Sequence, residues 1–269
     1  MARDLWSDQA FLRDVQYRSD ANLSARQSIY AYQHPRIDLP AQVLGLVEMS
    51  DLSGLRSSDV VADIGCGNGR YLAELARRGV TGHLIGADLS AGMLQAARSQ
   101  APGAGLIAAD AARLPLRDGI AGLTLANHML YHVADPLAAA SELRRVTRPG
   151  GAVVIGLNGG GHMREIREAC REAGLGYARE RVTLEDGQAL LGTVFTTVTR
   201  HDFPAQLRLP APAPVADYVR SKSATGLHQD PEAAVSDVIA RLFPNDPASS
   251  CTISTHTGCL ICRLAVKIR

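Results

Sequence analysis

Short apolar runs alternate with amphipathic helical patterns through the middle of the chain. The apolar runs are strand-like and read VVADIG, GHLIGAD, GLIAAD, LTLANH and GAVVIGLN. Between them, the segments RYLAELARRG, SAGMLQAAR and DPLAAASELRRVTRPGG carry apolar residues at helical spacing. Ser90 and Asp135 are predicted N-caps of the second and third helices, and Gly79 is predicted to stop the first. Apolar strands separated by helices predict a parallel sheet that is buried on both faces.

Further segments flank this α/β core on both sides. Residues 1–50 are predicted to form an N-terminal helical cap, and residues 51–269 the main domain. Two helical patterns at about residues 160–195 predict a helical lid inserted into that domain. The remaining tail alternates strand and helix and ends in a predicted strand at residues 250–266.

Composition indicates an ordinary globular protein. The 269 residues are 46% hydrophobic and 20% charged, with a net charge of +1, and this balance argues against a dominant nucleic-acid surface. No run approaches the roughly 20 apolar residues that a membrane span needs. The first residues lack the apolar region of a secretory signal. We therefore expect a cytoplasmic protein with no membrane partner, either a monomer or a homodimer.

The five cysteines do not predict a metal centre. Cys259 and Cys262 form a CxxC pair, but they lie in a β-branched, apolar segment that is typical of a strand. Residues i and i+3 of a strand point to opposite faces, so these two thiols cannot share one metal ion. We interpret them as apolar residues of a buried strand, with no metal.

The segment VVADIGCGNGRYLAELA combines a strand, a glycine-rich turn and the start of a helix. Dinucleotides and S-adenosylmethionine both suit this order of elements. Gly65, Gly67 and Gly69 allow a positive φ and a close approach of the backbone to a ligand. A dinucleotide fingerprint reads GxGxxG, and here Arg70 holds its third glycine position. The spacing therefore favours S-adenosylmethionine.

Three aspartates follow three successive strand-like runs. Asp63, Asp88 and Asp110 each come at or near the end of a run, so a parallel sheet would bring them to one edge. Asp88 can accept from both hydroxyls of a ribose, Asp110 from an adenine amine, and Asp63 places negative charge near an amino group and a sulfonium. A pyrophosphate would be repelled by these carboxylates.

The segments ADIGCGNG, GADLS, AADAARLPL, LTLANHMLYHVADP and ELRRVTRPGG resemble motifs I to V of the class I S-adenosylmethionine-dependent methyltransferases. The branch they most resemble, methyltransferase type 11, includes the ubiquinone and menaquinone C-methyltransferases. The resemblance is strong over residues 40–160. It implies a Rossmann-like, seven-stranded, mostly parallel sheet whose last strand is antiparallel, with helices on both faces. It also implies a cofactor site that releases S-adenosylhomocysteine, with contacts from Asp63, Gly65, Cys66, Gly67, Gly69, Asp88, Leu89, Met93, Asp110, Ala111 and Asn127.

The fourth strand-like run ends where this family places residues beside the methyl group. His128 and His132 follow it, and histidine is the side chain best suited to accept a proton near neutral pH. If the acceptor is a hydroxyl, an amine or an activated carbon, His128 or His132 is the candidate general base. The alternatives are that these residues only hold the loop, and that alignment of the acceptor, the methyl group and the sulfur supplies the rate without a base. Tyr17, Tyr30, Met163 and Arg26 are candidates for closing the site, with Tyr17 and Arg26 near the cofactor and Arg26 pairing its carboxylate.

The sequence thus predicts methyl transfer from S-adenosylmethionine to a small organic acceptor, in bacterial specialised-metabolite biosynthesis. The absence of a basic stripe and of an NPPY-type motif argues against nucleic-acid bases as acceptors. Two alternatives stay open. One is an RNA or protein methyltransferase, and the other is a protein that binds S-adenosylmethionine without transferring its methyl group.

Overall fold

The computed structural model describes residues 5–49, 59–80, 82–175, 181–222, 228–244 and 250–264. The predicted boundary between cap and main domain, at residues 50 and 51, lies outside these ranges, as does part of the predicted lid, at residues 176–180. The described strands are β1 (Gln33–His34), β2 (Val60–Ile64), β3 (His83–Asp88), β4 (Gly105–Ala108), β5 (Ala121–Asn127), β6 (Thr147–Asn158), β7 (Thr197–Leu209) and β8 (Cys251–Arg263).

The helices surround these strands and alternate with them in the central part of the chain. They are α1 (Gln9–Phe11), α2 (Ala21–Ser28), α3 (Leu39–Met49), α4 (Arg70–Arg77), α5 (Ala91–Gln100), α6 (Pro136–Val146), α7 (Arg164–Glu172), α8 (Leu184–Gly192), α9 (Ala213–Arg220) and α10 (Pro231–Leu242). Short helical turns cover Leu5–Ser7, Leu12–Gln16, Ile29–Tyr32 and Leu130–His132.

All eight strands belong to one sheet, in the order β1-β7-β8-β6-β5-β2-β3-β4. The neighbouring strands β6-β5, β5-β2, β2-β3 and β3-β4 are parallel pairs, whereas β8 is antiparallel to both β6 and β7. The predicted fold, a mostly parallel sheet with an antiparallel last strand and helices on both faces, is confirmed. The prediction of seven strands missed β1, a two-residue strand paired with the outer edge of β7.

Local sequence explains where these elements begin and end. Every residue of β2 is buried, as expected for a central parallel strand covered on both faces. The predicted caps are confirmed: the Ser90 hydroxyl accepts from the Met93 N–H, and the Asp135 carboxylate accepts from two N–H groups in the first turn of α6. Helix α4 ends at Arg77, and Gly79 follows with a φ of +70°.

Alternating residues of the strands supply two core clusters, one on each face of the sheet. Helices α6 and α8 cover one face, while α3 and α4 cover the other, with α5 beside α4. Cys262 belongs to the first cluster and Cys259 to the second, so the two thiols lie on opposite faces, as the strand pattern predicts. Within the described ranges, no group of three His, Cys, Asp or Glu side chains could hold a metal ion.

A third cluster lies beside the carboxyl end of β7 and the amino end of β8. It joins α7, α9 and α10 to Leu207, Leu209 and Ile253 of these strands. The two halves of the predicted lid are therefore in different places, because α8 packs on the sheet through Leu184 and Leu191 while α7 packs with α9 and α10. Among the described residues, no helix has both the length and the apolar content to cross a bilayer.

Candidate functional site

A cavity of about 220 Å³ opens at the carboxyl ends of β2, β3, β4 and β5. The ends of parallel strands are where α/β sheets bind ligands. Of the predicted cofactor-binding and catalytic residues, all but Gly69 and Arg26 line this cavity. Those that do are Tyr17, Asp63, Gly65, Cys66, Gly67, Asp88, Leu89, Met93, Asp110, Ala111, Asn127, His128 and His132.

Asp63 is the most buried acidic group at this edge. Its side chain is only 1% exposed, and its Oδ2 atom has no hydrogen-bond partner among the described residues. Burial raises the pKa of Asp63 to about 7, and the negative charge of Asp88 contributes to the same shift. A cationic ligand in the cavity would stabilise the ionised carboxylate and satisfy this oxygen.

Asp88 ends β3, the strand next to that of Asp63, and Asp110 follows β4, one strand further along the sheet. Both carboxylates are held by protein donors. Asp88 accepts from the backbone N–H groups of Gly67 and Ser90, both at 2.9 Å. Burial raises the pKa of Asp88, although these N–H bonds act in the opposite direction. Asp110 accepts from the Gln9 side-chain amide at 2.7 Å, which brings the N-terminal segment against the end of the cavity. The three carboxylates therefore line one cavity, at the sheet edge where the sequence predicts them.

Two glycines of the loop have different tasks. Gly65 has a φ of +69°, and a Cβ there would lie 2.6 Å from Cβ of Met129, which lines the cavity. Gly69 has a φ of +85°, and a Cβ there would lie 2.9 Å from Cα of Ala97 in α5. Gly69 was predicted to contact the cofactor, but the structure instead places it at the packing contact between the loop and α5.

A second cavity of about 460 Å³ adjoins the first on the side of the N-terminal segment and α9. Residues that line both cavities mark the boundary between them. They are Tyr17, Leu23, Gln27, Leu39, Arg70, His128 and His132. Any group that passes from a ligand in one cavity to a ligand in the other would cross at these residues.

His128 is held in an unusual backbone conformation at this boundary. Its φ is +56°, a region that costs energy for any residue other than glycine. Its backbone N–H donates to the Gly156 carbonyl at 2.8 Å, while its buried Nε2 atom has no partner in the described part of the chain. Burial lowers the pKa of His128 to about 4, with a smaller contribution from Arg70, so the imidazole is neutral at pH 7.

His132, by contrast, has both ring nitrogens occupied. Its Nδ1 lies 3.1 Å from the Trp6 carbonyl and its Nε2 lies 2.9 Å from the Tyr17 hydroxyl. Because a carbonyl can only accept, Nδ1 carries the proton and the Tyr17 O–H donates to Nε2. Burial is the main cause that lowers the pKa of His132, to about 3. The contacts of His132 with Trp6 and Tyr17 thus hold the N-terminal segment over the site. The position of His132 in the sequence did not indicate this role.

The residues predicted to close the site divide between the two cavities. Tyr17 lines both, and Tyr30 lines the second, where its hydroxyl accepts from His162 Nε2 at 3.0 Å. Arg26 also lines the second cavity and not the first, so the structure does not support the predicted pairing with a cofactor carboxylate. Met163 is fully buried in the third core cluster and lines neither cavity.

Sequence reasoning missed three polar residues at the first cavity. Gln9 carried no signal, because a glutamine near the N-terminus has no pattern that assigns it a partner. Asn68 lies within the glycine loop, and its amide donates to Asp20 at 3.0 Å and to Gln27 at 3.3 Å, which ties the loop to α2. Tyr71 lies in the helical pattern RYLAELARRG, which gave no reason to expect a polar role, yet its buried hydroxyl has no partner among the described residues.

Residues 62–155 match a family model described as a methyltransferase domain. Among curated proteins, the chain is 36% identical over 105 residues to a demethylmenaquinone methyltransferase of Beutenbergia cavernae, a match that covers 39% of this chain and 43% of that protein. It is 34% identical over 113 residues to a malonyl-[acyl-carrier protein] O-methyltransferase of Yersinia pestis, covering 42% of each. The chain therefore matches less than half the length of these relatives.

The fold is similar to that of a solved phosphoethanolamine N-methyltransferase of Haemonchus contortus, in complex with phosphomonomethylethanolamine and S-adenosylhomocysteine. The TM-score is 0.58 at 16% identity, and the match covers 96% of this chain and 60% of the other. At this identity the likeness concerns the fold alone.

Proposed function

We propose that the chain, whose residues 62–155 match the methyltransferase domain family, binds S-adenosylmethionine in the first cavity and methylates a small organic molecule held in the second. The observation that carries this proposal is the buried Asp63 carboxylate, whose Oδ2 atom has no partner among the described residues. A buried carboxylate is costly unless it is neutralised or paired, and a sulfonium ligand with an amino group would supply the missing positive charge.

The residues around the first cavity fit the parts of this cofactor. Gly65 and Gly67 have positive φ angles, which favour glycine, and both line the cavity without a side chain that would keep a ligand from the backbone of the loop. The Asp88 carboxylate accepts two N–H bonds and has further lone-pair sites for ribose hydroxyls. Asp110 and Ala111 line the cavity next to Asp88, where an adenine amine would find an acceptor.

S-Adenosylmethionine, when bound, supplies an electrophilic methyl group. The chain has to hold the acceptor in line with that methyl, exclude water and accept a proton where the acceptor loses one. His128 Nε2 lies at the boundary of the two cavities, buried and neutral, so it can receive a proton. Its low pKa limits the driving force for this transfer, and alignment of the reactants therefore has to supply much of the rate.

The size of the second cavity supports a small-molecule acceptor. About 460 Å³ lies within the range of roughly 300–1,000 Å³ that is typical of pockets for small molecules. Nucleic acid or protein acceptors would need an open groove. For a nucleic acid acceptor we would expect tight, salt-sensitive binding in a filter assay. The more specific expectation, a role in specialised metabolism, stays a prediction from sequence.

The proposal is tested by calorimetry with S-adenosylmethionine and by release of S-adenosylhomocysteine over a panel of small acceptors. Asp88→Ala should weaken cofactor binding by about 10- to 100-fold, because it removes about two charge-assisted hydrogen bonds. Asp135→Ala is a matched control. Asp135 also accepts from two backbone N–H groups, both at 3.0 Å, but it caps α6 and does not line the first cavity.

Equal affinity of the Asp88→Ala and Asp135→Ala variants for the cofactor would contradict the ribose assignment. Tight cofactor binding without release of S-adenosylhomocysteine from any acceptor, nucleic acid and protein included, would instead favour the alternative of a binding protein that transfers no methyl group.

A further inference from the structure

Arg26 carries a buried positive charge and does not line the first cavity. Its side chain extends from α2 into the second cavity, and the residue is only 9% exposed. The guanidinium lies over the ring of Tyr17, 5.1 Å from the ring centre. Its Nη2 atom has no hydrogen-bond partner in the described part of the chain. An orphaned donor on a buried charged group is costly unless a ligand satisfies it.

Other positive side chains surround the same space. Besides Arg26, the cavity is lined by Arg36, Arg70, Arg181 and Lys222, and Asp38 is the one acidic residue in its described lining. Asp38 is exposed, whereas Lys222 is half-buried between the rings of Trp6 and Tyr218, 5.0 and 5.3 Å from their centres. Clefts lined by one sign of charge concentrate ligands of the opposite sign.

We propose that the methyl acceptor is an organic anion, carrying a carboxylate or a phosphate that Arg26 binds in the second cavity. This inference rests on the proposed function. It extends that proposal by naming the charge of the acceptor and the residue that recognises it. A guanidinium matches the geometry of both oxyanions, because its N–H groups donate in a planar fork.

The rest of the cavity lining describes the body of this acceptor. Five aromatic rings face the cavity, together with aliphatic side chains, so the anion is attached to an apolar or aromatic skeleton. The rings belong to Trp6, Tyr17, Tyr30, Tyr131 and Tyr218. Arg26 lines the second cavity and His128 lines both cavities, so a molecule with its oxyanion at Arg26 occupies the space that His128 also borders.

The test uses probes that share a benzyl group and differ in the charged or neutral group attached to it. Phenylacetate, phenylacetamide, 2-phenylethylamine and benzyl phosphate are titrated by calorimetry into the full chain saturated with S-adenosylhomocysteine. We expect at least one of the two anions to bind about tenfold or more tightly than the amide, and the amine to bind weakest. The comparison of phenylacetate with benzyl phosphate separates a carboxylate acceptor from a phosphate acceptor.

Variants assign the preference to Arg26. Arg26→Gln should reduce the preference for the anion to about twofold or less, while Arg26→Lys should retain part of it. Arg36→Gln is the matched control, because Arg36 lines the same cavity but is exposed and screened by solvent. The melting temperature of each variant reports whether it is folded.

Each outcome bears on one proposal. If S-adenosylhomocysteine does not bind the wild-type chain, the proposed function fails. If it binds but the anionic probes show no advantage over the amide, or an advantage that Arg26→Gln leaves intact, the anionic-acceptor inference is overturned while the cofactor site stands. If Arg26→Gln weakens S-adenosylhomocysteine binding as much as probe binding, Arg26 belongs to the cofactor and the inference is again wrong.

Discussion

Replacement of Asp63 by asparagine should change how stability depends on pH. The carboxyl is buried, and its pKa is raised from 3.8 to about 7. The folded protein therefore binds more protons than the unfolded chain between these two values, so this group lowers the free energy of unfolding as pH rises through that interval. Asparagine has the same shape and does not titrate, and the variant loses this contribution.

The magnitude follows from the interval that an experiment can cover. Each pH unit over which only the native state holds the proton is worth roughly 1.4 kcal/mol. From pH 5 to a pKa of about 7, the ligand-free wild type should lose about 3 kcal/mol of stability relative to Asp63→Asn. Urea unfolding at pH 5, 6, 7 and 8 measures this difference, and contributions from other groups cancel between the two proteins to first order.

Cofactor binding should change the protonation of the same carboxyl group, that of Asp63. A cation beside Asp63 lowers its pKa, so binding of S-adenosylmethionine at pH 6 should release a proton from Asp63 of the wild type. Calorimetry in two buffers of different ionisation enthalpy counts the released protons. The Asp63→Asn variant corrects for titration of the cofactor's own amino group. Identical pH profiles and identical proton release in the two proteins would refute the reasoning about the buried carboxylate.

Three further predictions concern the histidines. Asparagine tolerates a positive φ, so His128→Asn should preserve the backbone conformation. If His128 is the general base, this variant should slow turnover by about 10²- to 10⁴-fold and leave the affinity for S-adenosylhomocysteine unchanged. Turnover equal to that of the wild type would exclude the role. Tyr17→Phe removes the donor to His132 Nε2 and should cost about 1–3 kcal/mol in urea unfolding, whereas no loss would mean that the bond does not hold the N-terminal segment in solution. Burial lowers the pKa of His162 to about 3, so below pH 6.5 the unfolded chain gains a proton that the native state does not. Between pH 6.5 and pH 5 the wild type therefore loses stability that His162→Gln keeps. In urea unfolding the difference should be about 2 kcal/mol.

The sequence by itself determined the central sheet and the edge at which its acidic residues meet. Apolar runs such as VVADI have no polar face, so they can only be buried between layers, and the helical patterns between them supply those layers. Once the strands are parallel, their carboxyl ends share one edge, and Asp63, Asp88 and Asp110 come together without any further information. Caps such as Ser90 and Asp135 were equally predictable, because capping is a contact within a few residues.

Only the tertiary structure decided what lies over that edge. Gln9 bonds to Asp110 across 101 positions and Tyr17 to His132 across 115, and no local period links such pairs. Packing between the layers also placed Arg26 in the second cavity, whereas the sequence had suggested that it contacts the cofactor. Strand propensity and helical periodicity report which face of an element is buried, whereas the partner of a single polar side chain depends on how separate layers pack. The fold and the sheet edge that holds the first cavity are therefore predictable from the sequence, and the second cavity is not.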